Sequence, residues 1–176
     1  LRDALLAGSI INIFHKHCDR VKMANIAQMV NVLQSIILTK DEKMLLTPTY
    51  YVFDMYKVHQ DATMLPMTVN CGTYNRMDRR LSSISSTASI DKEGAIHITL
   101  VNIDPDNSIE LTCDVRGSKT SKITDGQIIT GKEVQSYNTF DNPNQVKLDK
   151  FKDASYKNGT LKVKLPAKSL VTIELK

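Results

Sequence analysis

The N-terminal part of the chain carries hydrophobic residues first at helical and then at strand-like spacings. From Leu1 to Lys16, apolar residues recur every three or four positions, which predicts a helix with a broad buried face. The apolar segment Val21 to Ala27 is predicted to be a strand. The next segment, Val30 to Leu38, is nearly continuous in apolar residues, so a buried strand and a short helix remain alternatives. Lys40 to Lys43 is predicted to be a solvated turn.

A second helix is predicted from Pro48 to about Gln60. Thr47 offers an N-cap side chain, and Pro48 suits the first helical turn because its φ is fixed and it has no N–H to satisfy. One face of this helix is formed by residues three or four apart: Val52, Met55, Tyr56 and His59. The order helix, strand, helix is typical of α/β architecture, here with only one or two units.

After Asp61 the pattern changes to short alternating segments rich in β-branched residues and separated by turn residues. The dipeptides Asp125-Gly126 and Asn158-Gly159 are among the predicted turns. The pattern predicts a mainly β fold, an antiparallel β-sandwich of jelly-roll type. The predicted strands are Met67 to Tyr74, Leu81 to Ser89, Ala95 to Ile103, Ser108 to Val115, Ser121 to Thr130, Val146 to Leu148, Thr160 to Leu165 and Ser169 to Leu175.

The strand from Ala95 to Ile103 shows the clearest alternation. Ile96, Ile98 and Leu100 fall on one side, whereas His97 and Thr99 fall on the other. This spacing predicts one core face and one wetter face.

Length and charge narrow the possible functions. With 176 residues, the chain can bury a core but is too short for a closed eight-fold barrel of roughly 250 residues. The 23 basic and 19 acidic residues give a net charge of +4, and the basic residues are scattered, so no nucleic-acid partner is expected. No apolar run approaches the roughly 18 residues needed to span a bilayer, so no membrane partner is expected. Because the chain opens on Leu1 inside a predicted helix, we expect the natural N-terminus to lie upstream. The compartment, cytoplasmic or exported, therefore stays open.

The residues that commonly bind metals form no strong pattern. An odd number of widely spaced cysteines fits neither a disulfide framework nor a zinc site, and buried thiols are expected, with a Cys71–Cys113 bridge as the alternative. One short cluster near the end of the first helix could suggest a metal site, but it has no second half elsewhere and is interpreted as a helix end. No metal or cofactor is expected. The cluster consists of His15, His17, Cys18 and Asp19.

The glutamates do not form a catalytic pair. Glycoside hydrolysis usually needs two carboxylates, about 5 Å apart for retention and roughly 6.5 to 9.5 Å apart for inversion. All five glutamates fall in predicted turns or at exposed strand positions, so we expect solvated acids and no catalytic residue in this chain. They are Glu42, Glu93, Glu110, Glu133 and Glu174.

Gln28 has a different status because it stands where the strand Val21 to Ala27 is expected to end. In a barrel enzyme, substrate contacts come from the strand ends. A neutral amide there can both donate hydrogen bonds to sugar hydroxyls and accept them. The alternative is a glutamine that caps exposed strand backbone.

Four segments together resemble the C-terminal third of family 51 alpha-L-arabinofuranosidases: LRDALLAG, HCDRVKMANIAQMVNVLQSI, LLTPTYYVFDMYKVHQ and LPAKSLVTIEL. The resemblance covers nearly the whole chain and is strongest over Leu1 to Leu65. It implies that residues 1–65 are a helix-strand-helix remnant of an (α/β)8 barrel and that residues 66–176 are a C-terminal β-sandwich. It further implies a homo-oligomeric parent that releases terminal arabinofuranosyl groups from plant oligo- or polysaccharides with retention.

The resemblance also assigns the site residues. In the family, the acid/base glutamate follows an asparagine, and both catalytic carboxylates lie upstream of the matched region. No Asn-Glu pair occurs here, so we expect the fragment alone to be inactive. Gln28 aligns with the family's glutamine that reaches the substrate pocket. Asn31 is a weaker candidate for substrate binding, and the favoured role for it is to tie down the loop.

The sandwich itself has two competing interpretations. Structural support of the barrel is favoured. The alternative is a non-catalytic carbohydrate-binding module, but sugar-binding platforms rely on exposed aromatic faces. The chain has no Trp and only 6% aromatic residues, which argues against that alternative.

Overall fold

The computed structural model describes residues 1–26 and 28–176, and in them antiparallel strands predominate. Helix α1 spans Arg2–Lys16, and helix α2 spans Pro48–Tyr56 and continues as a 3-10 turn over Lys57–His59. The strands are β1 Ile37–Lys40, β2 Lys43–Leu46, β3 Thr63–Met64, β4 Thr73–Arg76, β5 Arg79–Ser82, β6 Ile84–Ile90, β7 Ile96–Asn102, β8 Ile109–Asp114, β9 Ile123–Ile129, β10 Asp149–Lys150, β11 Ala154–Lys157, β12 Thr160–Leu165 and β13 Ser169–Leu175.

Two sheets pack face to face to form the sandwich. The larger sheet has six strands in the order β10-β9-β13-β7-β6-β3, and the smaller has three in the order β11-β12-β8. Leu100, Val171 and Ile173 of the larger sheet share one apolar core with Leu161 and Val163 of the smaller. This antiparallel arrangement confirms the predicted sandwich class.

Both helices cover the other face of the larger sheet. A second apolar core joins Leu5 of α1 and Val52 of α2 to sheet residues Val101, Ile129 and Leu170. The larger sheet is therefore the middle of three layers. Burial on both faces explains why all seven residues of β7 are buried.

The prediction of a wetter face on β7 was wrong in one respect. His97 and Thr99 do lie opposite the apolar core, and they are polar as predicted, but both are buried. Helix α1 packs against β6 and β7, and His59 of the 3-10 turn contacts Thr99 and lies beside His97. Alternation along a strand identifies two faces, but it does not show whether a helix covers the polar one.

The extents of both predicted helices hold with small changes at the ends, but the buried face of α1 is narrower than predicted, because Leu6, Ile10 and Ile13 are exposed. The first helix begins at Arg2 and not at Leu1, and the second is α-helical only to Tyr56. Thr47 is the N-cap residue but makes no side-chain capping bond. Its hydroxyl instead donates to the carbonyl of Ser35 at 3.0 Å, so it links the helix start to the preceding segment.

The sheet predictions failed mainly in short or irregular segments. Of the predicted strand Met67 to Tyr74, only the last two residues belong to a strand, and Val146 to Leu148 is not a strand. The hairpin partner Ala154–Lys157 was missed. Asp125-Gly126, predicted as a turn, lies within β9. A Cβ at Gly126 would stand 2.6 Å from the carbonyl oxygen of Phe151, so close backbone approach accounts for this glycine.

The N-terminal segment differs most from its prediction. Residues 21–26 form no strand, and Ala27, the last residue of that predicted strand, lies outside the described residues. A barrel strand pairs with neighbouring parallel strands, and residues 21–26 lie beside none in the described chain. Val30 to Leu38 is neither a single strand nor a helix, because only its end joins the hairpin β1–β2. The barrel remnant and the division after residue 65 stay predictions.

The structure also tests the predicted state of the cysteines and the expected lack of a membrane-spanning segment. Cys18, Cys71 and Cys113 all lie in the described residues and are all free, so the Cys71–Cys113 bridge is not formed. Cys18 is exposed, contrary to the expectation of buried thiols, and the other two are half-buried. Neither α1 nor α2, the two α-helices of the described chain, is long and apolar enough to cross a membrane.

Candidate functional site

Gln28 lies on the exposed segment that links α1 to β1. This segment leaves α1 through a hydrogen-bonded turn in which the N–H of Val21 donates to the carbonyl of His17 at 2.8 Å. The side chain of Gln28 is exposed, as is that of its neighbour Met29. Gln28 is thus available for a contact with another molecule, and its role in substrate binding stays a prediction.

The backbone immediately after Gln28 is held by the start of β1. The N–H of Ile37 donates to the carbonyl of Met29 at 3.0 Å, and the N–H of Asn31 donates to the carbonyl of Ile37 at 3.1 Å. These two bonds form an isolated parallel bridge between Val30 and Ile37. The segment beyond Gln28 therefore has a defined path along β1.

Asn31 ties this path to the hairpin through its side chain. Its Nδ2 donates to Oγ1 of Thr39 at 2.7 Å, and its Oδ1 accepts from the N–H of Thr39 at 2.7 Å. Asn31 also has a φ of 55°, a left-handed conformation that asparagine tolerates better than most residues. The structure thus gives Asn31 the loop-tying contact, whereas a contact with substrate stays a prediction.

The base of the hairpin is anchored in the core by Asn138. The Nδ2 of this side chain donates to the carbonyls of Leu46 and Val146 at 2.9 and 2.8 Å, and its Oδ1 accepts from the N–H of Val146 at 2.7 Å. Asn138 and Val146 are both buried. Sequence reasoning missed Asn138 because nothing in the local pattern distinguishes it from a surface loop asparagine.

A cleft of about 810 Å³ separates residues 21–24 from the two helices. Its walls include Phe14 and His15 of α1, Phe53 and Tyr56 of α2, and His59. Gln28 is not part of this cleft. The predicted strand and the second helix are therefore neighbours, but the candidate substrate residue lies elsewhere.

A buried polar cluster lies between this cleft and the larger sheet. The hydroxyl of Tyr56 lies 2.9 Å from the carbonyl oxygen of Gly8 and 2.7 Å from Oδ1 of Asn12. Nδ2 of Asn12 in turn donates to the hydroxyl of Ser85 on β6 at 3.1 Å. Burial raises the pKa of Tyr56 well above its ordinary value, so its hydroxyl remains a donor.

Two histidines extend the cluster across the sheet. Nδ1 of His59 lies 2.7 Å from the hydroxyl of Ser89, and its Nε2 lies 2.8 Å from that of Thr99. The rings of His59 and His15 are 5.1 Å apart. Burial, with smaller contributions from the neighbouring His15 and His97, lowers the pKa of His59 to about 3. At neutral pH this histidine is therefore uncharged and structural.

His97 lies between two carboxylates at the edge of the same cluster. Its Nε2 is 3.0 Å from Oδ2 of Asp91, and its Nδ1 is 3.8 Å from Oε2 of Glu174. The hydrogen bond with His97 lowers the pKa of Asp91. Burial would raise the pKa of Glu174, but hydrogen bonds from Thr124 and Lys176 lower it overall. Neither carboxyl group has the raised pKa of a general acid.

The remaining candidates for chemistry are dispersed. Glu42, Glu93, Glu110 and Glu133 are exposed, as predicted, while Glu174 is only partly exposed. His15 turns toward Thr87, and Cys18 contacts Met64, so the short histidine-cysteine cluster does not converge. No group of three His, Cys, Asp or Glu side chains in residues 1–26 and 28–176 is arranged to hold a metal ion.

Comparison with known proteins decides the family. The family model described as the alpha-L-arabinofuranosidase C-terminal domain matches residues 1–169. The chain belongs to this family. An intracellular exo-alpha-L-arabinofuranosidase of Bacteroides ovatus is 53% identical over 176 residues, which are 99% of this chain and 34% of that protein.

Solved structures of arabinofuranosidases share the fold of this C-terminal domain. The glycoside hydrolase family 51 enzyme of Xanthomonas axonopodis pv. citri is 42% identical, with a TM-score of 0.95 over 99% of this chain and 35% of that one. The alpha-L-arabinofuranosidase of Thermotoga maritima, solved as an arabinose complex, is 25% identical, with a TM-score of 0.84 over 98% of this chain and 37% of that one. The chain therefore spans about a third of the length of these relatives.

The arabinofuranosidase C-terminal domain thus contains a hydrogen-bonded segment, residues 29–31, directly after the candidate residue Gln28. Sequence reasoning proposed Gln28 from its position after a predicted strand and from the family resemblance, and it proposed Asn31 through the resemblance alone. It missed Thr39, which forms two contacts with Asn31. A threonine on a short exposed strand carries no periodic or compositional signal that could have singled it out.

Proposed function

We propose that this chain is the C-terminal part of a retaining alpha-L-arabinofuranosidase. The observation that carries the proposal is the match of an arabinofuranosidase C-terminal family to residues 1–169, together with 53% identity to an exo-alpha-L-arabinofuranosidase. The parent enzyme would remove terminal arabinofuranosyl groups from arabinose-containing oligo- or polysaccharides of plants. The arabinose complex of a related enzyme supports this class of substrate.

Within this enzyme, Gln28 would contact the substrate and Asn31 would hold the loop that carries Gln28. The exposed amide of Gln28 can donate to a sugar hydroxyl and accept from another. The catalytic carboxylates would come from the rest of the parent enzyme. Residues 1–65 would complete its barrel, and residues 66–176 would form the sandwich.

The sandwich would stabilise the catalytic barrel rather than bind glycan itself. Its larger sheet is buried on both faces, and α1 covers part of it. On the outer side of α1, Leu6 and Ile13 are more than half exposed and Ile10 is 39% exposed, which fits a surface that packs against further protein. The parent would also assemble as a homo-oligomer, which its mass in solution would test.

An aryl arabinofuranoside tests the proposal directly. The parent enzyme should release the aryl group, whereas the isolated 176-residue chain should release none. In the parent, Gln28→Ala should lower kcat/KM by about tenfold, because a hydrogen bond worth about 1.5 kcal/mol is lost. The exposed Gln135 provides the matched control, and Gln135→Ala should leave kcat/KM unchanged. Release by the isolated chain at the rate of the parent would contradict the proposal.

A further inference from the structure

The contact between Asn31 and Thr39 fixes two short segments against each other at two points. The threonine presents its backbone N–H to Oδ1 of Asn31 and its hydroxyl oxygen to Nδ2, and both distances are 2.7 Å. A carboxamide held at both ends cannot rotate without breaking a hydrogen bond. Thr39 therefore sets the orientation of the Asn31 side chain.

This contact continues the backbone bonds next to Gln28. Ile37 is bonded to the carbonyl of Met29 and to the N–H of Asn31, so residues 29–31 lie alongside residues 37–39. Gln28 is the residue immediately before this paired stretch. The orientation of Gln28 consequently depends on the hydrogen bonds that join residues 29–31 to residues 37–39.

The hairpin that carries Thr39 is itself anchored. Thr39 pairs with Met44 across β1 and β2, and the carbonyl of Leu46 accepts a hydrogen bond from the buried Asn138. The N–H of Thr47 donates to the carbonyl of Ile36 at 3.0 Å at the base of the same hairpin. A continuous set of hydrogen bonds thus runs from the core to the segment beside Gln28.

We propose that Thr39 is a positioning residue for Gln28 in the arabinofuranosidase reaction. The proposal rests on the proposed function, because it needs Gln28 to contact the substrate. Thr39 acts through Asn31 and does not touch the sugar. Loss of its hydroxyl would free one end of the Asn31 amide and allow Gln28 to move, and small displacements of a substrate contact lower the reaction rate strongly.

Three variants of the parent enzyme test the proposal. Thr39→Val removes the hydroxyl and nearly preserves the shape, and it should lower kcat/KM by about tenfold. Thr39→Ser restores the hydroxyl and should stay within about twofold of wild type. The exposed Thr73 of β4 is the matched control, and Thr73→Val should leave kcat/KM unchanged.

A double variant separates positioning from a general structural role. If Thr39 acts through Gln28, Thr39→Val should change kcat/KM by less than about twofold in a Gln28→Ala background. A full tenfold loss in that background would overturn the proposal. In the absence of substrate, hydrogen exchange at the backbone N–H of Asn31, which donates to Ile37, should become faster in Thr39→Val. The melting temperature of the parent should stay unchanged.

The result also distinguishes this proposal from the proposed function. If the parent is active and Gln28→Ala impairs it, but Thr39→Val behaves as wild type, only the positioning role is overturned. If the parent releases no arabinose, or Gln28→Ala has no effect, the function proposed for the site fails and the positioning role fails with it.

Discussion

The hydroxyl of Tyr56 offers the sharpest test of how α2 is held against α1. It is fully buried and lies within hydrogen-bonding distance of Gly8 and Asn12 on α1. Tyr56→Phe removes this donor and leaves the ring in place. The variant should therefore report on the hydrogen bonds alone, with little change in packing volume.

The magnitude follows from the acceptor that is left behind. The carbonyl of Gly8 lies within α1 and can keep its helical hydrogen bond, whereas Oδ1 of the inaccessible Asn12 loses its partner. A buried acceptor without a partner costs about 1–3 kcal/mol, so we expect Tyr56→Phe to lower the free energy of unfolding by about 2 kcal/mol. For a chain of this length, the melting temperature should fall by about 4–8 °C.

Denaturant and thermal unfolding of the 176-residue chain measure this loss. The exposed Tyr137 is the control, because Tyr137→Phe should change stability by less than about 0.5 kcal/mol. A double-mutant cycle with Asn12→Ala should give a coupling of at least about 0.5 kcal/mol. An unchanged midpoint for Tyr56→Phe, or strictly additive effects, would refute the reasoning.

Three further outcomes are expected. Gly126→Ala should destabilise the chain by about 1–3 kcal/mol, because its Cβ would meet the backbone of Phe151. Gly72→Ala is the control, because no atom lies near its Cβ and no destabilisation is expected. Equal unfolding midpoints for the two variants would contradict this prediction. Below pH 6.5 the unfolded chain gains a proton on His59 that the folded chain resists down to about pH 3. Stability should therefore fall across that window by up to about 1.4 kcal/mol per pH unit, and His59→Gln should flatten the curve of unfolding free energy against pH. The exposed apolar side of α1 should make the isolated chain self-associate, and light scattering should show less association for Ile13→Lys than for wild type.

The helices and most sandwich strands could be predicted because each carries a periodic hydrophobic face. The buried residues of α1 keep a helical spacing, and Ile96, Ile98 and Leu100 of β7 all face the core between the two sheets. The covering of the polar face of β7 could not be predicted, since it depends on contacts between residues distant in sequence. His59 illustrates this, because its partners Ser89 and Thr99 lie on two different strands.

The candidate site was inferred from the place of Gln28 after a predicted strand and from the family resemblance, and its role stays a prediction. Gln28 has no distinctive neighbours in the sequence, and the strand expected before it needs neighbouring strands that the described residues do not provide. Asn31 could be predicted to tie down a loop, but its partner could not. Thr39 is the partner of Asn31 because Val30 pairs with Ile37, and this pairing is seen only in the three-dimensional structure.

The position of the six-stranded sheet between two layers limits how this protein could be recombined with its relatives. Side chains of α1 and α2 form apolar contacts with one face of that sheet, and Asn12 of α1 donates a hydrogen bond to Ser85 of β6. If the sandwich were transferred without α1 and α2, helices from another protein would have to cover the polar face of its larger sheet. We therefore expect chimaeric enzymes to fold best when the exchanged segment begins before α1, so that helices and sheet are inherited together.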